Sequence, residues 1–139
     1  MEQLRLMQMT DHEQMMALWE KSDGVVVSEA DTPTELAQFL QRNPGLSYVA
    51  EQDGQIIGTV LGGHDGRRGF LYHLAVEQAH RGRRLGQRLA EACLHSLAEQ
   101  GITKCHIFVV ADNEDGQRFW TRCGWEKRDT FFVYSRSLA

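Results

Sequence analysis

Proline is scarce in this 139-residue chain, which has only Pro33 and Pro44, and no stretch is of low complexity or repeats. That excludes a proline-rich linker and a solenoid of short repeats. Cysteine is sparse too: Cys93, Cys105 and Cys123 form neither a CxxC pair nor a zinc spacing. An odd, scattered set of this kind reads as reduced thiols, not a disulfide framework or a metal site. Long apolar runs are missing as well. The Ile56–Gly63 run falls far short of the roughly 20 residues a membrane helix needs. The opening MEQLRLMQMTDHEQ carries acids and no apolar stretch, unlike a secretion signal. Excess positive charge is also absent, since 15 Lys and Arg face 19 Asp and Glu, a net charge of −4. A general nucleic-acid binder would show the opposite balance. These absences together predict a cytoplasmic protein that needs neither metal nor membrane and does not bind nucleic acid.

The length predicts one domain over residues 1–139, large enough for a proper core and too small for two. Against its acidic background one local feature stands out. Leu71, Tyr72, Leu74 and Val76 read as an apolar strand, Gln78-Ala79-His80 as a turn, and Leu85, Leu89, Ala92, Cys93 and Leu97 as one helical stripe. Between strand and helix lie Arg81, Gly82, Arg83, Arg84 and Gly86, followed by Arg88, with no acid before Glu91. A helix N-terminus already carries partial positive charge, so each cation there is unfavourable by roughly 0.3–1 kcal/mol. The cluster makes physical sense if an anion, most simply a phosphate, completes it.

Around this centre the chain reads in order. Leu4 and Leu6 suggest a first strand, and Thr10-x-x-Glu13 a capping box opening a helix with Met15, Met16, Leu18 and Trp19. Thr32-Pro33-Thr34-Glu35 is a second capping box, with its helix ending at Asn43-Pro44-Gly45. Leu46–Gln52 and Gln55–Gly62 flank the tight turn Asp53-Gly54, and Gly69–Val76 forms a third strand after the His64–Arg68 loop. The central helix ends at Gly101, and Lys104–Val110 is a further strand. Gly116–Cys123 predicts a short helix closed by Gly124. Trp125 and Thr130–Ser135 predict the last strands. The Phe131-Phe132-Val133 run reads first as core strand and second as a homodimer interface. The order indicates a single α/β domain on a mixed sheet.

One strand after the arginine loop comes Asn113-x-x-Gly116-x-x-Phe119-Trp120-x-x-x-Gly124-Trp125. With both motifs in view, the chain resembles the GNAT superfamily of acetyl-CoA-dependent N-acetyltransferases over essentially its whole length. Leu74, Val76, Arg81 and Gly86 match the family's Leu-x-Val-x-Pro-x-x-Arg-x-x-Gly-x-Gly, and Asn113, Phe119 and Gly124 match its Asn-x-x-Ala-x-x-Phe-Tyr-x-x-x-Gly-Phe. The GHDGRRG loop is similar to that of small bacterial members of the YpeA type. The resemblance implies a central mixed, mostly antiparallel sheet with helices on both faces, splayed where acetyl-CoA binds. Leu74, Ala75 and Val76 would hold the pantetheine arm. Arg81, Gly82, Arg83, Arg84, Leu85, Gly86 and Gln87 would hold the pyrophosphate. Asn113, Phe119 and Trp120 would complete the cofactor site. The chain departs from the pattern at Gln78, Arg84 and Trp120. Arg84 replaces a glycine but keeps its N–H, so the cradle survives provided this position needs no positive φ. Trp120 replaces a tyrosine that often acts as general acid, and an indole cannot.

The implied reaction is direct attack by a primary amine, of a small molecule or peptide, on the acetyl thioester. An alkyl amine of pKa about 10.4 must first lose a proton. Candidate bases are His73, His106, or a water relayed to Glu29 or Asp31, with His73 first. Strand parity places His73 on the face opposite Tyr72. Phe108 stands where some family members carry a glutamate. The leaving thiolate, of pKa about 8.5, lies only about 2 kcal/mol above the thiol at pH 7, so Tyr72 or solvent suffices to protonate it. Substrate recognition is expected from Ser22–Thr32, His64–Arg68 and Trp125–Phe132. Glu29, Asp31 and Asp129 would attract a cation; Arg67 and Arg68 would hold a carboxylate. The principal rival is a non-catalytic acyl-CoA-binding sensor, for which Trp120 would be the sign. A dinucleotide-binding reading fails, because no G-x-G-x-x-G follows a first strand.

Overall fold

Local chemistry sets most element ends in the computed structural model, which describes residues 1–138. The Thr32 hydroxyl accepts from Glu35 N at 3.3 Å and Pro33 takes the first helical position, so α2 spans Pro33–Arg42. Asp53 and Gly54 both adopt positive φ, 53° and 78°, which makes the two-residue turn between β2 (Tyr48–Gln52) and β3 (Gln55–His64). Gly101, at φ 85°, closes α3 (Leu85–Glu99). The Thr10 box does not form. Residues 9–11 make a 3-10 turn in which the Asp11 carboxylate accepts from Gln8 N at 2.9 Å, and α1 (His12–Glu20) begins after it. The box forms earlier, between Gln8 and Asp11, and Arg5 anchors it: its guanidinium donates to both Asp11 oxygens at 2.9 and 2.8 Å and to Glu51 at 2.7 Å.

The sheet runs β1 (Gln3–Leu6), β2, β3, β4 (Gly69–Val76), β5 (Cys105–Ile107) in spatial order. Neighbours are antiparallel except β4 and β5, which run parallel and pair only from Gly69↔Cys105 to Leu71↔Ile107. The parallel step requires a crossover, and α3 supplies it. α3 packs Leu85, Leu89, Cys93 and Leu97 on one face against Ala50, Ile57, Val60 and Leu71. α1 and α2 cover the other face, with Met15, Trp19 and Leu36 against Val49, Leu61 and Ala75. Helices therefore lie on both faces of a mixed, mostly antiparallel sheet, as expected.

Three predictions fail at the C-terminal side. β5 is shorter than Lys104–Val110, and α4 (Glu114–Arg122) starts earlier because Asn113 caps it. No strand forms after α4 among the described residues, and Phe131, Phe132 and Val133 are exposed, not core. β-propensity alone makes no strand when no neighbouring edge accepts it.

The Arg5–Asp11 pair joins β1 to the start of α1. Burial raises the Asp11 carboxyl, but the Arg5 hydrogen bonds and Gln8 N–H outweigh it and leave it below its ordinary value. A depressed carboxyl stabilises the fold above its unfolded pKa and loses that contribution as pH falls through the folded one. Arg5→Met should therefore destabilise the protein by about 3 kcal/mol at pH 7. In urea melts the gap to wild type should narrow below about pH 4; a gap independent of pH would refute this account of the pair.

Candidate active site

β4 is the strand on which the site is built, and its register contains one irregularity. Thr59 faces Ala75 and Leu61 faces Tyr72, so Val60 stands opposite two residues, His73 and Leu74. This is a β-bulge, with His73 in the left-handed region at φ 51°. Thr59 Oγ1 donates to the His73 carbonyl at 2.8 Å and accepts from Trp19 Nε1 at 2.8 Å. The bulge overturns the parity expectation. Tyr72 packs edge-on against Phe39 of α2, and His73 lies 4.7 Å from Trp19 of α1, so both side chains share the α1/α2 face. Leu74 and Val76 turn to the α3 face and Ala75 to the α1 side.

Below Leu71 the two parallel strands part, while β4 continues to Val76 with no partner on that side among the described residues. Glu77 N donates to Ile57 O at 2.8 Å. By strand alternation Ala75 also turns its backbone groups toward β3, leaving those of Leu74 and Val76 directed to the open side. The Val76 carbonyl there accepts from Arg81 Nε at 3.1 Å.

The arginine loop follows. Residues 78–80 form a single 3-10 turn, Gly82 has φ 87°, and Arg84 caps α3 from the left-handed region at φ 61°, ψ 20°. The condition set for Arg84 is thus not met: the position does need positive φ, at a cost of about 1–2 kcal/mol for a residue with a Cβ. Among the described residues nothing accepts from the N–H groups of residues 82–87. Arg88 is held by Glu2 at 2.7 Å, whereas Arg83 and Arg84 make no ion pair among the described residues. Two cavities flank the loop. One of about 480 Å³ lies between Leu18, Lys21 and Ser22 of the α1 end and Val76–Ala79 and Arg81; one of about 670 Å³ is lined by Arg83, Arg84, Gln87, Arg88 and His95. Leu85 is buried in the core.

α4 closes the far side. Gly86 lies where a Cβ would sit 3.4 Å from Phe119 and 3.6 Å from Val76, so α3, α4 and β4 meet there. Asn113 Oδ1 caps α4 by accepting from Gly116 N at 3.0 Å. Its amide nitrogen lies so near Gly116 and Gly24 that a Cβ on either would come within 2.5 and 2.7 Å of it. An alanine at 116 would require the Asn113 side chain to shift. Trp120 is 8% exposed and packs against Phe119 and Trp125 at 5.0 and 4.9 Å, a core position.

His73 has a partner that sequence reasoning had treated as a rival. Its Nε2 lies 2.9 Å from Asp31 Oδ1, and Asp31 is buried, accepting also from Ser28 N at 3.0 Å, while its carbonyl meets His12 Nε2 at 2.8 Å. Glu29 is exposed. Tyr72, Phe70, His106 and Phe108 form a contiguous aromatic row beside the parting strands, with centroids 5.7 to 6.5 Å apart. Burial raises the Tyr72 hydroxyl above its ordinary pKa. The His64–Arg68 loop is closed on itself by Asp65, which accepts from Arg67 N and Arg68 N at 2.8 Å. It stands at the other end of β4 from the arginine loop. The sequence reading placed Trp19 on a helix but missed Thr59 and the bond between them, which no local spacing signals.

The fold is similar to that of several N-acetyltransferases of known structure. It superposes on the PaiA N-acetyltransferase of Thermoplasma acidophilum, solved with coenzyme A, with TM-score 0.81 at 18% identity over 94% of this chain and 93% of that one. AAC(6')-Iy, solved with a CoA-linked bisubstrate analogue, gives 0.78 at 20% identity over 99% of each. At the level of sequence, an acetyltransferase of Yersinia pestis (strain Pestoides F) is 32% identical over 136 residues, covering 98% of this chain and 96% of that protein. One from Yersinia enterocolitica shows the same identity and coverage. The profile of the acetyltransferase (GNAT) family matches residues 12–125. The chain belongs to that family and is an acyltransferase.

Replacing Arg84 by glycine should relieve the left-handed strain and raise stability by about 1 kcal/mol, read as a higher urea midpoint. Asn113→Ala should lower stability by a similar amount, about 1 kcal/mol, through the lost cap. Equal midpoints for wild type and both variants would contradict these assignments.

Proposed function

We propose that the protein, as one transferase domain over residues 1–139, transfers the acetyl group of acetyl-CoA to a primary amine of a small molecule or peptide by direct attack. One observation carries the reading: the unpaired half of β4 ends at a run of N–H groups that have no acceptor among the described residues, with Arg83 and Arg84 beside it. The N–H groups of Gly82 to Gln87 and the Arg81, Arg83 and Arg84 side chains would bind the pyrophosphate. Leu74, Ala75 and Val76 would hold the pantetheine arm as an added strand. A backbone N–H there would polarise the thioester carbonyl. The Asn113 amide nitrogen and Phe119 would border the arm, and Trp120 would back it from the core.

Free energies decide which proton transfer needs help. Deprotonating an alkyl amine at pH 7 costs about 5 kcal/mol, against about 2 for releasing a thiolate. The base therefore matters more than the acid. His73 would be that base. The Asp31 carboxylate accepts from Nε2–H, leaving the Nδ1 lone pair to take the amine proton. The new C–N bond forms as the C–S bond breaks, and the thiolate takes a proton from Tyr72, which burial keeps protonated, or from solvent. The sensor reading draws on Trp120 alone, and the same arithmetic weakens it, since no acid is required.

Calorimetry with acetyl-CoA, paired with thiol release against an amine library, tests the proposal. Binding with turnover of at least one amine supports it; binding without release for every amine favours the sensor. Arg81→Glu with Arg84→Glu should abolish binding while the circular dichroism spectrum is unchanged. His73→Gln should lower kcat by about 100-fold at pH 7. Its rate should climb with pH toward about 10, as free amine replaces the base. A flat profile would remove His73 from the role.

A further inference from the structure

Phe70 is a large apolar residue that neither core uses. It sits inside the sheet, facing Gly63 of β3 on one side and His106 of β5 on the other, yet both buried clusters are assembled without it. Its ring meets other rings instead: Tyr72 at 6.3 Å and within 19° of parallel, and His106 at 5.7 Å. Tyr72 in turn meets Phe39 of α2 at 6.2 Å. All four side chains are half-buried, so the row is open along one flank. Apolar surface gathered beside a polar centre marks a binding site, whereas scattered apolar residues do not.

The row has a fixed relation to the proposed chemistry. His73 stands at the bulge, and the strand beyond it, Leu74–Val76, leads to the arginine loop and is assigned to acetyl-CoA. An attacking amine must reach the thioester from the other side of His73. There β4 offers Tyr72 and then Phe70, about 7 Å apart along the strand and on one face by alternation. Charge offers no second hold. Asp31 is engaged by His73 and Ser28 N, and Asp65 by two N–H groups of its own loop.

We infer that the acceptor is an arylalkylamine, its ring laid on Phe70 and Tyr72 and its short alkyl arm carrying the amine to His73 Nδ1. The inference rests on the proposed acetyl transfer and adds to it the class of acceptor. Ring against ring gains beyond the area buried, and the ammonium is drawn to the aromatic faces before it gives up its proton. An acceptor with a second charge at its far end would strand that charge over the rings without a partner.

Steady-state kinetics of Phe70→Ala test this with two amines. KM for phenethylamine should rise about 10-fold with kcat unchanged, while propylamine, too short to reach the ring, should be unaffected. Each amine is compared with itself, so differences in basicity cancel. His73→Gln should instead lower kcat for both. Phe70→Leu should show the same selectivity at smaller size, and it replaces the alanine variant should that fail to fold. Wild type should prefer hexylamine to hexamethylenediamine and to aminocaproate. Equal losses for both amines, no loss for phenethylamine, or preference for a doubly charged acceptor would overturn the inference. Should no amine be turned over, titration with phenethylamine decides separately. Saturating shifts of the Phe70 and Tyr72 ring protons would retain the site and remove the transfer; their absence would remove the site.

Discussion

The structure turns on one inserted residue in β4. Because Val60 faces both His73 and Leu74, every side chain beyond the bulge falls on the face opposite to the one a regular strand would give it. Leu71 and Leu74 both reach the α3 core, and Tyr72 and His73 both meet the α1/α2 layer. The strained backbone at His73 persists because it is over-determined. Thr59 holds its carbonyl, Trp19 holds Thr59, and Asp31 holds its ring. Remove the bulge and the aromatic row, the histidine and the open strand edge no longer converge.

A second strained residue shows the same economy at the helix start. A glycine at 84 would adopt φ 61° freely, but it would place no guanidinium beside the loop. The chain keeps the arginine and accepts the strain, in a region where like charges already oppose the helix field. Two unfavourable terms at one position are hard to explain by folding alone. They are consistent with a site that is stabilised when a polyanion binds.

Most of the fold was legible in the sequence because its signals are local. Asp53-Gly54, the Thr32–Glu35 box, Gly101 and the α3 stripe each act within a few residues, and each lies where it was expected. The arginine loop and Asn113 were legible as motifs for the same reason. The failures involve distant partners. Where the Thr10 box was expected, Gln8 and Asp11 form a box instead, with Asp11 anchored by Arg5 of β1. The bulge carries no glycine at 73 to announce it, so parity misplaced a side chain. The Asp31–His73 contact spans elements far apart in the chain, and no spacing rule encodes it. The tail has strand composition, yet among the described residues no edge takes it up.

The short β4–β5 ladder has a further consequence. β1 to β4 form a meander of adjacent antiparallel pairs, while β5 joins through three parallel pairs and a crossover helix. The cleft therefore lies along the seam where the molecule is least well stitched, between a body of longer antiparallel ladders and the unit of β5 and α4, which joins through the short one. Any molecule that lays its own hydrogen-bonding groups along Leu74 and Val76 bridges that seam. Binding of such a molecule and completion of the sheet's open edge then become one event.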